Sequence, residues 1–311
     1  MNIEISIVIP LYNEEENIDT LFERIIDTLE RLKMSYEIIC INDGSRDKTL
    51  DILIDYHQKN PTIKIINLSR NFGKDIALTA GIDFTKGNAV IPIDADLQDP
   101  PELIEQMVQK WQEGYDIVYA TRKTREGETW FKRSTANIFY ILLDKITKVS
   151  IPRNTGDFRL LDRKVVEALK RLPERTRFMK GLFAWVGFKS VSILFERQPR
   201  FQGNTKWNYW KLWNFALDGI TSFSLLPLKM WTYLGLIISL LSLTYASFLV
   251  VRTIFLGIDI PGYASLMVTI LFLGGIQLIT LGIIGEYLGR VYEEIKGRPL
   301  YLVRDVYGLE K

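Results

Sequence analysis

The strongest constraint on the fold is an alternation, over roughly the first 120 residues, of short apolar runs with amphipathic segments. The run Ile38–Ile41 is apolar throughout, whereas Asn13–Met34 repeats its apolar side chains with the 3.6-residue period of a helix. Strands that alternate with helices form βαβ units, and their parallel sheet is covered on both faces. We therefore predict an α/β fold with strands at 5–9, 38–41, 63–67, 89–93 and 116–120.

The segments between these strands predict helices at 13–34, from Ser45 or Asp47 to about 58, at 74–84 and at 101–113. Asn13 and Glu16 have the spacing of a capping box for the first helix. Asp99 is expected to cap the fourth helix. Pro92 lacks an amide hydrogen, so we expect a bulge or an unpaired position in the fourth strand.

Polar side chains collect where each predicted strand ends. They occur at 10–14, 42–45, 69–74, 94–96 and 121–123, after the five strands in turn. Ligands of open α/β sheets bind at the carboxyl ends of the strands. The sequence therefore predicts one crevice lined by acids, amides and cations.

Asp94 and Asp96 are the most informative residues of this crevice. Two carboxylates one residue apart offer hard oxygen ligands to Mg²⁺ or Mn²⁺, which keep further positions for water and phosphate. The pair therefore predicts a metal-bound diphosphate such as a nucleotide-sugar. A solvated loop is the alternative when such a pair occurs in isolation, and the other strand ends argue against it.

Composition narrows the chemistry further. The chain has 39 basic and 37 acidic side chains, a balance that does not favour a nucleic acid partner. It has one histidine, His57, and one cysteine, Cys40, which excludes a histidine-rich metal site and an intramolecular disulfide. Carboxylates must therefore carry any metal-binding or proton-accepting role.

The pattern changes after the sheet. Residues 130–149 predict a basic amphipathic helix, either an ordinary surface helix or one lying on a membrane. Residues 154–159 read as a turn that contains Asp157, 165–172 as a short helix and 191–196 as a further strand. Trp207, Trp210 and Trp213 recur on one helical face, which is typical of a membrane–water interface.

Two uncharged stretches follow, Met230–Val251 and Ser265–Gly285. Each is long enough to cross the roughly 30 Å hydrocarbon layer, and a buried hairpin of a soluble protein is the alternative. Basic residues flank the pair, so the positive-inside rule places both chain ends in the cytoplasm. No basic-then-apolar leader begins the chain, and no signal peptide is expected.

The predicted domain organisation has four parts. We expect residues 1–206 to form a cytosolic domain that contains the crevice, 207–226 an interfacial helix, 227–291 a two-span transmembrane hairpin and 292–311 a cytosolic tail. The second span and the residues just after it contain five glycines, Gly274, Gly275, Gly282, Gly285 and Gly289, of which the last two are four residues apart. This spacing favours close helix packing, either within the chain or in a homo-oligomer, which we favour.

Five segments together resemble the family 2 glycosyltransferases, in their polyprenyl-phosphate branch, and they span about half the chain in consistent order. The segments are 8–14, 42–49, 70–74, 94–102 and 156–159. The resemblance implies a GT-A type nucleotide-sugar-binding domain with a parallel or mixed sheet. The chain lacks the Gln-x-x-Arg-Trp element of processive relatives, which argues against polymer synthesis.

The resemblance also implies roles for individual residues. Asp157 is the proposed base and, with Asp96, the catalytic pair. Asp94, Asp96 and Gln98 hold Mg²⁺ or Mn²⁺. The donor is bound by Pro10, Tyr12, Glu14, Asp43, Lys74 and Asp94, and the acceptor phosphate by Arg122, Lys132, Arg133 and Arg200.

The function implied is an inverting transfer of glucose from UDP-glucose to an undecaprenyl-type phosphate at the cytosolic membrane face. The acceptor is a phosphate monoester with a second pKa of about 6, so it is already an oxygen nucleophile at neutral pH. Asp157 is then either a base or a residue that orients the acceptor. The open alternatives are a mannosyltransferase that uses GDP-mannose and a membrane-anchored nucleotidyltransferase. The latter wants a glycine-rich loop after the first strand, and residues 11–14 contain no glycine.

Overall fold

The computed structural model describes residues 3–123, 152, 155–175, 177–196, 226–256 and 262–309. The chain divides into two compact units. The first contains residues 1–145, 149–219 and 298–311, and the second contains residues 146–148 and 220–297.

The first unit is built on an eight-stranded sheet with the order β7-β5-β6-β4-β1-β2-β3-β8. Its strands are β1 Ile5–Leu11, β2 Tyr36–Asn42, β3 Ile63–Leu68, β4 Ala89–Pro92, β5 Ile117–Arg122, β6 Thr155–Asp162, β7 Ser190–Phe195 and β8 Val303–Tyr307. Its helices are α1 Ile18–Leu32, α2 Thr49–Lys59, α3 Lys74–Phe84, α4 Leu103–Gln112, α5 Arg163–Lys170 and α6 Met179–Trp185.

The sheet is mixed. Strands β3, β2, β1 and β4 run parallel, as the βαβ pattern predicts. Strand β6 lies between β4 and β5 and is antiparallel to both, and β7 is parallel to β5. The predicted α/β fold with a GT-A-like mixed sheet is therefore confirmed.

The centre of the sheet is buried on both faces, which explains the continuous apolar runs. Ile7, Val8 and Ile9 of β1 have no exposed surface, although neighbours along a strand face opposite sides. The side chains Ile18 and Phe22 of α1 are also completely buried. Since each such side chain stabilises the fold by roughly 1.5–3 kcal/mol, the strand ends project from a rigid base.

The predicted start of the first helix is wrong. Helix α1 begins at Ile18, with Asn17 as its N-cap, and Asn13 lies outside it with a φ of 53°. The Asn13 side chain does not cap the helix, because its Oδ1 accepts a hydrogen bond from the backbone N of Arg46 at 2.9 Å. A contact with another loop thus replaces the local capping box.

The predicted cap of the fourth helix is also wrong. Helix α4 begins at Leu103 with Glu102 as its N-cap, and Asp99 is a buried residue of the preceding loop. Pro92 ends β4 and lies opposite Val8 of β1. Its missing amide hydrogen is tolerated, because Ile93 N donates to Val8 O and the pairing of β4 with β6 extends only to Val90.

Two strands differ from the sequence prediction. Residues 155–162 form β6 rather than a turn, because Phe158, Leu160 and Leu161 are buried in the centre of the sheet. Residues 303–307, predicted as part of a tail, form β8 along the free edge of β3. Strand β8 contains two charged residues in five, so its sequence carries little strand signal.

The second unit contains α7 Leu226–Leu256 and α8 Tyr263–Ile295. Within the described part of the chain, one stretch is long and apolar enough to cross a membrane, Val268–Ile295. Tyr233–Tyr245 is apolar but shorter. The predicted surface helix at 130–149 and the three tryptophans of the predicted interfacial helix lie outside the described residues.

Candidate active site

Three side chains from distant parts of the sequence meet at the carboxyl ends of the central strands. Lys74 begins α3, Asp94 follows β4, and Asp157 lies on β6. The Lys74 Nζ is 2.7 Å from Asp94 Oδ1 and 2.6 Å from Asp157 Oδ2. The antiparallel strand β6 therefore brings its acid to the edge where the parallel strands present theirs.

Asp157 is an ionised carboxylate in a nearly closed setting. Its side chain is 11% exposed, and its Oδ1 is buried without a hydrogen-bond partner among the described residues. Burial alone would raise its pKa, but the charges of Lys74, Lys180 and Arg159 hold that pKa well below its usual range. A carboxylate with so low a pKa is a poor proton acceptor at neutral pH.

Lys74 is correspondingly held as an ammonium. Burial would lower its pKa, but the carboxylates of Asp157 and Asp94 raise it well above the ordinary value. Lys74 is thus an ammonium that holds the carboxylates of Asp94 and Asp157 together.

Two further aspartates, Asp96 and Asp99, lie in the turn that follows Asp94. The Asp96 Oδ1 accepts a hydrogen bond from the backbone N of Gln98 at 3.2 Å, and Leu97 between them has a φ of 58°. Such a φ is uncommon for leucine and persists only where the surroundings hold it. The side chain of Leu97 is 2% exposed, and its burial stabilises the turn.

The charge at this turn fits a divalent cation. Asp99 is 4% exposed, and its pKa is raised to about 7 by burial and by the neighbouring carboxylates of Asp94 and Asp96. The turn thus brings carboxylates close enough to oppose one another's ionisation. Asp94, Asp96 and Gln98 also supply the oxygen ligands that Mg²⁺ and Mn²⁺ prefer.

The loops after β1 and β2 are interlaced. Asn13 N donates to Ser45 Oγ at 3.0 Å, and Glu14 N donates to Thr49 Oγ1 at 3.0 Å. These contacts fix the loop that carries the predicted donor-binding residues, of which Pro10, Tyr12 and Glu14 are all partly buried. The two loops therefore form one rigid wall.

Asp43 connects this wall to Lys74. Its side chain is 3% exposed, and its two oxygens accept hydrogen bonds from Phe72 N at 2.7 Å and Gly73 N at 3.0 Å. Burial raises the pKa of Asp43, whereas these two amides lower it. The carboxylate thus holds the loop that ends at Lys74.

Of the four predicted acceptor-binding cations, Arg122 is the one that the structure describes. A Cβ on Gly156, next to Asp157, would lie 3.6 Å from Arg122 Nη2 and 3.8 Å from Asp99 Oδ2. The Arg122 Nε is buried without a hydrogen-bond partner among the described residues. Lys132, Arg133 and Arg200 lie outside those residues.

The sequence analysis missed several charged neighbours of Asp157. Arg159 is 5% exposed, stacks on the Phe183 ring at 4.0 Å and donates from Nη2 to Gly156 O at 2.7 Å. Lys180 acts on Asp157 electrostatically from α6. Arg159 could have been identified from the sequence, because it belongs to the segment 156–159, one of the five that carry the family resemblance. Nothing in the sequence points to Lys180.

The mixed sheet and the acids and cations at its carboxyl edge define the class of protein, a GT-A-like glycosyltransferase. Comparison with protein families supports this assignment, because residues 6–170 match the model of glycosyl transferase family 2. Residues 226–291 match the GtrB C-terminal hairpin. The chain belongs to glycosyltransferase family 2, and it is an enzyme of that class.

Similar proteins extend over the whole chain. An uncharacterized glycosyltransferase of Synechocystis sp. is 72% identical over 310 residues, which cover 100% of this chain and 98% of that protein. The bactoprenol glucosyl transferase of Shigella phage SfX is 48% identical over 301 residues, 97% of this chain and 99% of that protein. Among solved structures, glucosyl-3-phosphoglycerate synthase from Mycobacterium tuberculosis is 21% identical with a TM-score of 0.47, covering 70% of this chain and 76% of that one. That likeness is too distant to bear on ligands.

Proposed function

We propose that this protein transfers glucose from UDP-glucose to an undecaprenyl-type phosphate at the cytosolic face of a membrane, with inversion at the anomeric carbon. The observation that carries the proposal is the meeting of Asp94 and Asp157 on the ammonium of Lys74. The hairpin match and the similarity to a protein named bactoprenol glucosyl transferase support the lipid acceptor and the sugar.

On the donor side, the wall formed by the loops after β1 and β2 receives the nucleotide through Pro10, Tyr12, Glu14 and Asp43. Asp94, Asp96 and Gln98 would hold Mg²⁺ or Mn²⁺. Among the described residues, no three acidic, histidine or cysteine side chains form a metal cluster, so water and diphosphate would complete the coordination. The bound ion would neutralise the charge that develops on the leaving nucleoside diphosphate.

On the acceptor side, the lipid phosphate needs cations more than it needs a base. Its oxygen is ionised at neutral pH, because the second pKa of a phosphate monoester is about 6. The low pKa of Asp157 supports a role in orienting the acceptor and the cations around it. Arg122 would bind the phosphate, together with Lys132, Arg133 and Arg200, which we propose from the family resemblance. Lys74 and Asp94 belong to the donor side of the site.

The membrane part is proposed to cross twice. Strands β7 and β8, which flank the two helices in the sequence, belong to one sheet, so these strands lie on the same side of any membrane. An even number of crossings is required, and the hairpin match supports two. Residues 1–206 and 292–311 would then be cytosolic, with 207–226 at the interface and 227–291 as the hairpin.

We further propose a homo-oligomer held through α8. A Cβ on Gly274, Gly275, Gly282, Gly285 or Gly289 would find no atom within 4 Å in the described part of the chain. This open face supports packing against another copy more than packing within the chain. Replacing Gly282 and Gly285 with Leu should reduce the mass of the detergent-solubilised enzyme by light scattering, and an unchanged mass contradicts the proposal.

A donor panel tests the function. The full chain in detergent is given undecaprenyl phosphate, Mg²⁺ or Mn²⁺, and UDP-glucose, UDP-galactose or GDP-mannose, and both glycolipid and released nucleotide are measured. We expect glycolipid from UDP-glucose. The variant Asp96→Ala should lose at least about 100-fold in rate, because the ion's charge stabilisation is lost. Asp55→Ala, at an exposed position on α2, is the control.

Each part of the proposal can fail separately. Glycolipid from GDP-mannose but not from UDP-glucose contradicts the proposal that UDP-glucose is the donor. Full activity of Asp96→Ala in the presence of a chelator contradicts the proposed dependence on a divalent metal ion. Pyrophosphate release from a nucleoside triphosphate and a sugar phosphate, without glycolipid, identifies a nucleotidyltransferase instead.

A further inference from the structure

We propose that Asp305 is a positioning residue for the donor-binding loop after β2, and that it acts through the buried amides of Asn67 and Asn42. Asp305 lies on β8, in the segment that follows α8. That segment lies outside both matched family models, which end at residues 170 and 291. The identity of the donor rests on the proposed function, whereas the contacts do not.

A chain of hydrogen bonds joins Asp305 to the loop. Asn67 Nδ2 donates to Asp305 Oδ2 at 2.9 Å, and Asn42 Nδ2 donates to Asn67 Oδ1 at 2.8 Å. The backbone N of Ser45 then donates to Asn42 Oδ1 at 3.3 Å. We call these four residues the amide relay.

The amides in the middle of the relay are almost completely buried. Asn42 is 2% exposed and Asn67 is 4% exposed. Buried polar groups must find partners within the protein, because an unmade hydrogen bond costs about 1–3 kcal/mol. The orientation of each amide is therefore determined by its neighbour.

The carboxylate at position 305 gives the relay its direction. An ionised carboxylate only accepts hydrogen bonds, whereas an amide can donate or accept. Asn67 must therefore turn its NH₂ group to Asp305 and its oxygen to Asn42. Asn42 in turn presents its oxygen to the N–H of Ser45. With the opposite orientation, two donors would face each other at Ser45.

The far end of the relay holds the donor side of the site together. Ser45 Oγ accepts the N–H of Asn13, and its neighbour Asp43 holds Phe72 N and Gly73 N just before Lys74. The turn at 43–45 thus contacts the loops after β1 and β3. A disturbance at Ser45 should reach the nucleotide pocket through these contacts.

The segment that carries Asp305 is held by other contacts as well. Leu302 O accepts the N–H of Ser69 at 2.9 Å, and Tyr301 Oη donates to Asp83 Oδ2 at 2.9 Å. The β3–β8 ladder adds backbone pairing at Ile65 and Ile66. Removing the carboxylate should therefore leave β8 in place, and Tyr301→Phe offers a control that weakens the segment without touching the relay.

The test uses the full chain in detergent and three variants. Asp305→Asn keeps the shape of the side chain but no longer imposes a direction. The double variant Asp305→Asn with Asn67→Asp moves the acceptor-only group one position along the relay, which again turns the Asn42 oxygen to Ser45. Tyr301→Phe is the matched control. The measurements are amide hydrogen exchange of peptides that cover residues 43–46, UDP affinity in the presence of Mn²⁺, and thermal stability.

We expect faster exchange at 43–46 in Asp305→Asn and UDP affinity weakened by about threefold, the effect of part of one hydrogen bond. The double variant should return both quantities toward wild type, even if its melting temperature falls. Tyr301→Phe should leave both unchanged.

Unchanged exchange at 43–46 in Asp305→Asn overturns the relay, and so does an equal increase in Tyr301→Phe, which would indicate general loosening. Faster exchange with unchanged UDP affinity overturns the role in donor binding. If wild type itself fails to bind UDP with Mn²⁺, the proposed function is contradicted, and the exchange data still decide on the relay.

Discussion

At the scale of the residue, burial and charge pairing compete, and the partners decide the outcome. Asp157 and Asp99 are both buried aspartates within one site. Burial raises the pKa of both. For Asp157 the charges of Lys74, Lys180 and Arg159 outweigh burial and hold it ionised. For Asp99 burial, together with the carboxylates of Asp94 and Asp96, outweighs Arg122 and Lys74 and raises the pKa to about 7. The same side chain thus has opposite protonation tendencies, because its nearest charges differ in sign.

Glu37 on β2 illustrates the same competition at the other end of the sheet. Its side chain is 1% exposed and accepts hydrogen bonds from Lys64 Nζ at 2.6 Å, Ser6 Oγ at 2.6 Å and Lys86 N at 2.7 Å. Burial raises the pKa of Glu37. The three donors together lower it by more than burial raises it, so the net pKa lies below the ordinary value. The ionised form therefore stabilises the fold.

We predict that Glu37→Gln destabilises the protein most at neutral pH. Breaking a buried ion pair costs about 3 kcal/mol, which lowers the melting temperature by roughly 6–12 °C in a domain of this size. The pKa of Glu37 is lowered by folding, so its contribution is present above the unfolded pKa of about 4.3 and is lost as the pH falls through the folded pKa. The loss of melting temperature in Glu37→Gln should therefore be largest at pH 7, and it should shrink as the pH is lowered below about 4.3 and through the folded pKa of Glu37.

The control is Glu30→Gln, at an exposed position on α1. It should leave the melting temperature within about 2 °C of wild type throughout this pH range, as surface substitutions usually do. A loss for Glu37→Gln that does not shrink as the pH is lowered through the folded pKa would contradict the electrostatic origin of its contribution.

At the scale of the element, the function depends on loops that are held by one another. The turn after β2 is the clearest case. Gly44 has a φ of 67°, and a Cβ there would lie 2.5 Å from the carbonyl carbon of Arg70 and 2.6 Å from Asn71 N. The backbones of two loops therefore touch at a position that only glycine can occupy.

We predict that Gly44→Ala separates these loops and weakens UDP binding by at least about tenfold, measured calorimetrically in the presence of Mn²⁺. Gly114→Ala is the matched control. Gly114 also has a positive φ, 91°, but no atom lies within 4 Å of its Cβ position among the described residues. The Gly114→Ala variant should lose about 1 kcal/mol of folding stability through backbone strain alone and should keep its UDP affinity. Equal losses of affinity in the two variants would show that strain, not the contact, is responsible.

At the scale of the whole molecule, the chain leaves the first unit, forms two long helices and returns to complete the sheet. Helices α7 and α8 lie between β7 and β8 in the sequence, and β8 pairs with β3. Because β8 belongs to the same sheet as the candidate active site, any membrane part formed by these helices would have to begin and end on the same side. This requirement holds for any orientation of the helices.

We predict that cysteines at 55 and 304 are labelled from the same face of the membrane and that a cysteine at 259, in the link between the helices, is labelled from the other. Asp55 is exposed and the side chain of Arg304 is 72% exposed, so Asp55→Cys and Arg304→Cys should react readily. The native Cys40 is buried, and burial raises the pKa of its thiol, so it should remain silent.

The measurement is reaction with a membrane-impermeant maleimide in inverted and right-side-out vesicles, and detergent-permeabilised vesicles are the control in which all three cysteines should react. Labelling of positions 55 and 304 from opposite faces would require an odd number of crossings. Labelling of all three positions from one face would mean that the helices do not cross.

The amino-acid sequence by itself determined the elements whose burial has a local period. The parallel strands β1–β4 follow from continuous apolar runs, and the acids after β4 follow from the rule that ligands meet the carboxyl ends of such strands. The uncharged stretches after residue 229 were equally visible, because the hydrophobic character of a long segment does not depend on its neighbours.

Tertiary structure alone decided the pairings between distant segments. The antiparallel insertion of β6 brings Asp157 to Lys74 across 83 positions of the chain, and β8 brings Asp305 to Asn67 across 238. The same holds for Asn13, whose hydrogen bond to the neighbouring loop displaces the predicted cap. The physical reason is that periodicity encodes which face of a segment is buried. The direction of strand pairing and the partner of a charged side chain depend on groups that no local pattern contains.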